Sequence, residues 1–211
     1  MLVSHTHKFV FVHVYKTGGT SIRRALESVC DELPENLNGH ATAAEMRRYF
    51  HRHQPQVNHY FWFAVVRNPF ELLVSLWKFV SSNPRHPDHR IVEQQSFTQF
   101  VRWLSETGWS RVPIDDDRIL KPEVNVPRYI TLSDFLCDSS GGLLVDEVMR
   151  QECLGQQWDN LMARLGLDVR LDHLNASDHA HFRSYYDDKS RALLERHHQQ
   201  DLQRFDYAFD D

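Results

Sequence analysis

The chain has 211 residues, enough for one domain with one sizeable core, and its 24 Lys+Arg against 29 Asp+Glu leave a net charge of −5. That balance argues against a general binder of nucleic acid or anionic membranes, so any anionic ligand has to be caught at a focused basic pocket. Cys30, Cys137 and Cys153 are few, odd in number and widely spaced, which suggests neither a disulfide framework nor a paired-cysteine metal site and points to a reducing compartment.

No secretory-signal pattern opens the chain and no apolar run reaches the length of a membrane span. The expectation is a soluble, cytoplasmic single domain over residues 1–211, with no membrane insertion and no nucleic-acid partner. The 14 histidines fall in local groups such as His5/His7, His51/His53 and His197/His198. H-x-H pairs on a helix point apart, and no H-E-x-x-H or paired C-x-x-C accompanies them, so they read as solvated surface and no metal site is expected.

In chain order, Lys8 to Val14 alternate and are rich in β-formers, a strand that ends at the turn "YKTGGTSI". Thr20 or Ser21 caps a helix running to about Cys30, with Ile22, Ala25, Leu26 and Val29 as its apolar stripe. "DELPENLNGH" is a loop, after which Thr42-Ala43-Ala44-Glu45 is a capping box that opens a second helix and leaves His40 at the junction. "HYFWFAVV", His59 to Val66, is apolar on both faces, as a strand in the middle of a parallel sheet is.

That strand stops at Arg67, where Asn68 and Pro69 supply an N-cap and a first helical position for "FELLVSLWKFV". Ser96 begins another helix that ends near Gly108, and Trp109 to Asn125 read as a long loop or lid. Arg128 to Phe135 are expected as a short strand, Leu143 to Met149 as a better one, Gln156 to Leu165 as a helix closed by Gly166, and Asp187 to Phe205 as a helical tail. Strands alternating with helices predict an α/β fold with a parallel sheet covered on both faces.

Two stretches carry the chemistry. A strand feeding a glycine turn into a helix start presents converging backbone N–H groups and a positive dipole end to an anion, with Thr17, Thr20 and Ser21 as hydroxyl donors and Gly18 and Gly19 allowing close approach. The nucleoside-triphosphate pattern G-x-x-x-x-G-K-[ST] is not met, because Lys16 stands before the glycines and no lysine follows Gly19. In the second stretch, Arg67 closes a buried strand, where open α/β sheets gather ligands, and Ser75 lies seven positions beyond Asn68. At about 100° per residue that is close to two full turns, so Arg67 and Ser75 are expected to share one phosphate.

"FVHVYKTGGTSI" and "FAVVRNPFELLVS" together resemble the sulfotransferase superfamily, which uses 3′-phosphoadenosine 5′-phosphosulfate (PAPS) and releases adenosine 3′,5′-bisphosphate (PAP). The first resembles that family's 5′-phosphosulfate loop and the second its 3′-phosphate site. "HATAAEM", "VDEVMRQECLGQQWDNLMARLGL", "LNAS" and "DLQRFDYAF" resemble segments of the carbohydrate-type branch, sulfotransferase family 2, with its heparan sulfate 2-O and chondroitin/dermatan enzymes. The resemblance implies a P-loop, Rossmann-like fold, a hydroxyl acceptor such as a saccharide, and no required metal. It implies that Lys16, Thr17, Gly18, Gly19, Thr20, Ser21, Arg67 and Ser75 hold PAPS, with Lys16 also neutralising the leaving group. Leu72 stands where many members carry a second arginine, and since the animal enzymes are longer and Golgi-anchored, a bacterial-type soluble member is expected.

A base for the acceptor hydroxyl is expected at His40, with His13 and Glu45 as competitors. Asn175 and Ser177 close the 3′-phosphate pocket on the resemblance, or form a polar turn. Asp115 to Asp117 read as a solvated acidic loop rather than a metal cluster, and Trp62, Trp77, Trp103 and Phe100 as core rather than adenine stackers. The competing functions are a P-loop kinase of small molecules and a sulfotransferase acting on a lipid or natural-product alcohol.

Overall fold

The computed structural model describes residues 1–31, 40–107, 109, 129–171 and 180–210. In chain order its elements are β1 (Leu2–Ser4), β2 (Phe9–Val12), α1 (Gly19–Leu26), α2 (Ala43–His53), β3 (Phe61–Val66), α3 (Pro69–Ser82), α4 (His89–Val92), α5 (Phe97–Thr107), α6 (Leu132–Leu136), β4 (Glu147–Arg150), α7 (Leu154–Leu165), α8 (Asp188–His197) and α9 (Gln199–Arg204), with short 3₁₀ turns between some of them. The described residues divide into two compact units, one drawn from Met1–Arg67 and Leu132–Ala176, the other from Asn68–Asp115, Glu123–Thr131 and Ser177–Asp211.

The first unit holds a four-stranded sheet in the order β1-β2-β3-β4. β2 and β3 run parallel with Phe9 opposite Phe61 and Val12 opposite Ala64, and β3 and β4 run parallel with Val66 opposite Arg150. β1 pairs antiparallel with β2, Leu2 opposite Phe11, so the sheet is mixed where a purely parallel one was expected. An edge strand of three residues followed by His5, Thr6 and His7 is too short and polar to show in a hydrophobicity pattern.

Because side chains alternate along a strand, the sheet has two faces to cover. Phe9, Phe11, Phe63, Val65 and Met149 pack against Ile22 and Leu26 of α1 and Leu154, Trp158, Leu161 and Met162 of α7. On the opposite face Trp62 meets Phe50 of α2 edge-on, with ring centroids 6.1 Å apart. Both faces of β3 are therefore dry, which is why "FWFAVV" reads as an unbroken apolar run; each fully buried Phe or Val contributes about 1.5–3 kcal/mol of burial free energy.

Three boundaries differ from expectation. The segment expected as a strand up to Phe135 forms α6 instead, because Leu132, Phe135 and Leu136 sit at helical spacing and all are buried, and a short apolar run does not distinguish the two periods. α1 stops at Leu26 and passes into a 3₁₀ turn rather than continuing to Cys30, since the Ser4 hydroxyl donates to the Val29 carbonyl at 2.5 Å and Asp31 bridges back to Val3 at the sheet edge. The last strand is Glu147–Arg150, with Leu143 drawn into a bridge with Cys137. α7 ends as expected on Gly166 in the left-handed region, φ +67°.

The second unit is helical. α3 starts on Asn68, whose Oδ1 accepts the Phe70 N–H at 3.1 Å while its Nδ2 donates to the Ala208 carbonyl at 3.0 Å. Phe70, Phe182, Tyr186 and Phe209 form an aromatic cluster, and the Tyr186 hydroxyl donates to the Phe70 carbonyl at 2.9 Å. The helical tail is two helices, α8 and α9, broken at His198, whose Nδ1 lies 2.9 Å from Asp201 Oδ2 with both side chains buried. Phe100 belongs to the buried core, as expected, and so does Trp62 in the first unit.

Candidate active site at the strand ends

Past Val12 the Val14 N–H donates back to the Val12 carbonyl at 3.2 Å, a tight turn that lifts the chain out of the sheet. The Thr17 hydroxyl, fully buried, donates to the Val14 carbonyl at 2.8 Å and ties the loop to its own base. This corrects one expectation: the Thr17 Oγ1–H is committed inside the loop, which leaves that residue its backbone N–H for a ligand. Thr20 is exposed on the first turn of α1 and Ser21 is buried there.

The helix cap is Gly18, at φ +84°, rather than Thr20 or Ser21; its carbonyl accepts the Ser21 N–H at 3.0 Å. Glycine is needed there for its dihedral, which an L side chain rarely adopts. Gly19 is needed for a different reason: a Cβ on it would run into the ring of His13. Lys16 itself sits at φ +60°, a left-handed conformation that costs a non-glycine residue about 1–2 kcal/mol. Lys8 and Asp206 share this conformation elsewhere in the chain.

Arg67 closes β3 and is almost fully buried. Its guanidinium donates to the Lys16 carbonyl at 3.2 Å, so the two basic residues that the sequence separates by 51 positions meet at the strand ends. Burial holds the Lys16 amine below its ordinary pKa, and the Arg67 charge lowers it further. Arg150 ends β4 beside Val66, half-buried, and adds a third cation to this edge of the sheet. Sequence reasoning missed it by ending the strand a residue early; a basic residue closing a parallel strand, the rule that found Arg67, was the available signal.

His13 and His40 pack with ring centroids 4.4 Å apart. His40 Nδ1 lies 3.1 Å from the His13 carbonyl, which only accepts, so Nδ1 carries the proton and Nε2 keeps its lone pair. Desolvation is the main cause lowering both imidazoles, His13 to about 2, where the His40 ring adds to the effect. His40 keeps one side exposed and is also held below the usual value, partly countered by its bond to His13, with Lys16 among the charges that lower it. Both rings are neutral at pH 7. Glu45 performs the capping role: its Oε2 accepts the Thr42 N–H at 2.7 Å, and the Thr42 Oγ1 accepts the Glu45 N–H at 3.2 Å.

Ser75 belongs to the second unit, buried on α3, and Leu72 on the same helix is buried as well. Asn175, Ser177, Asp115 to Asp117, Gly108 and the loop beyond Trp109 lie outside the described residues.

A mixed α/β sheet whose strand ends carry a glycine turn, a helix N-terminus and clustered cations has the features that suit an anion. The model of the sulfotransferase family, family 2, matches residues 1–208. The chain therefore belongs to the sulfotransferase family and is a transferase. No curated protein and no solved structure matches it. No helix among the described residues is long and apolar enough to cross a membrane.

Proposed function

We propose that the chain transfers a sulfuryl group from PAPS to a hydroxyl of a carbohydrate acceptor. The observation that carries this reading is the Arg67 guanidinium on the Lys16 carbonyl: two basic residues brought together just before α1, Arg67 almost fully buried and Lys16 half-buried. Such a cluster suits a multiply charged ester, and the low local dielectric strengthens its attraction.

PAPS supplies an activated sulfuryl group on its 5′-phosphate and departs as PAP. The backbone N–H groups from Thr17 to Thr20, with the Thr20 and Ser21 hydroxyls, take the 5′-phosphosulfate, while the Ser21 N–H stays on the Gly18 carbonyl. Arg67 takes the 3′-phosphate, and Ser75 shares it on the strength of its helical spacing from Asn68 and of the family resemblance. Lys16 stands where charge develops on the bridging oxygen, and its lowered pKa makes its proton easier to share with that oxygen. His40 Nε2 accepts the proton of the acceptor hydroxyl while Nδ1–H stays on the His13 carbonyl. One S–O bond breaks as another forms, and the proton passes to the imidazole.

Thermal denaturation with PAP in EDTA tests the donor: a raised midpoint without any divalent cation is expected, and stabilisation by Mg-ATP alone overturns the reading. Labelled transfer from PAPS onto oligosaccharides and, in parallel, onto lipid and natural-product alcohols tests the acceptor, with the saccharides expected to take the label.

A further inference from the structure

The C-terminal half of α2 carries Arg47, Arg48, His51 and Arg52, two i,i+4 pairs that share one face of the helix. With Asn58 and His59 from the 3₁₀ turn Pro55–His59, they line a shallow concavity of about 690 Å³ that is open to solvent. No carboxylate lines it among the described residues, although the chain as a whole is acidic at −5.

The floor of this groove is held by hydrogen bonds and a ring contact. Arg47 donates from Nε and Nη2 to the Leu144 carbonyl at 3.2 and 2.9 Å, from Nη1 to the Asn58 carbonyl at 2.6 Å, and lies over the Trp62 ring 4.0 Å from its centroid. These hydrogen-bond partners are neutral. The Asp146 carboxylate, which accepts the Trp62 N–H at 2.7 Å, also acts on Arg47 and offsets part of its charge. Arg48, His51, Arg52 and His59 stand exposed around this fixed cation.

The groove lies at the opposite end of β3 from the site described above. Asn58 and His59 precede Phe61, whereas Arg67 follows Val66, and six residues of strand span about 20 Å. A nucleotide held by Lys16 and Arg67 is too far away to occupy both places. We propose that the groove is a second, independent anion site for a small molecule bearing two or more phosphate or sulfate groups. Arg47 is its preorganised anchor, and Arg48 and Arg52, exposed beside it, turn from their present partners onto the ligand.

Calorimetric titration of the full chain at low ionic strength, with tripolyphosphate in one arm and sucrose octasulfate in the other, tests this. Saturable binding of at least one probe is expected, and the tighter one distinguishes a phosphate from a sulfate ligand. Arg48→Gln with Arg52→Gln is expected to weaken it roughly tenfold, the combined effect of two exposed charge contacts. Lys16→Ala is expected to leave it unchanged. Should the double variant fail to fold, Arg52→Gln alone, at an exposed position, carries the test with roughly a threefold loss. Absence of binding by both probes, indifference to the arginine substitutions, or loss in Lys16→Ala, which would send the probe to the phosphate loop, each overturns the proposal. None of these outcomes depends on the identity of the sulfuryl donor.

Discussion

At the scale of single residues, the hydrogen bond between His40 and the His13 carbonyl does two things: it fixes the ring and decides which nitrogen can work. Asparagine at position 40 can still donate to that carbonyl but has no basic nitrogen. His40→Asn is therefore expected to keep PAP binding and to slow transfer by about 10²–10⁴, the usual contribution of a positioned base. Because the imidazole is held below its ordinary value, transfer by the unaltered protein is expected to stay level from pH 8 down to 6.5 and to fall only at more acid pH. An acid limb at or above pH 7, or an asparagine variant with unchanged turnover, excludes His40 as the base. Lys16→Ala, by contrast, is expected to lose about 10²–10³ in turnover, as removal of a single oxyanion-stabilising group does.

The start of α1 shows what the sequence reveals of an element and what it hides. Strand, glycine turn and helix were legible in "FVFVHVYKTGGTSI", as were the capping box at Thr42 and the Asn68-Pro69 start of α3, because each is a local pattern with a local cause. Legible too was Arg67 at a strand end. What was hidden depends on neighbours distant in sequence: the commitment of the Thr17 hydroxyl, the pull of Ser4 and Val3 that shortens α1, and the ring of His13 lying on Gly19. The two glycines can be separated by experiment. Gly19→Ala is expected to cost about 1–3 kcal/mol in urea unfolding through its clash with His13, and His13→Ala in the same chain is expected to recover at least about 1 kcal/mol of it. Gly18 has room for a methyl group, with only Leu154 Cδ2 at 4.0 Å, and its penalty comes from φ. Gly18→Ala should therefore show no rescue by His13→Ala; equal coupling at both positions would contradict the geometry.

For the whole molecule, the histidines held neutral set how stability responds to acid. His13 is lowered to about 2 and His197 to about 3, in both cases mainly by desolvation; for His197, stacked on Trp109 at 4.2 Å, His198 adds a second, smaller push. Unfolded, each returns to about 6.5. Between that value and their folded values the unfolded chain binds protons that the native one refuses, so stability falls as pH falls. The loss begins near pH 6.5 and continues toward pH 3 and 2; at pH 5 it amounts to at most about 2 kcal/mol for each histidine. Urea midpoints are thus expected to drop steeply from pH 7.5 to 5, and His13→Gln with His197→Gln to flatten the slope even though each change removes packing at neutral pH. Carboxylates alone titrate lower, near 4, so a decline that began only below pH 5 would assign acid sensitivity to them instead. Of the two histidines, His13 follows β2 three residues before Lys16, so the proposed phosphate loop is expected to share in this loss, and PAP, if it binds only the folded form, to move the midpoint at pH 5 upward.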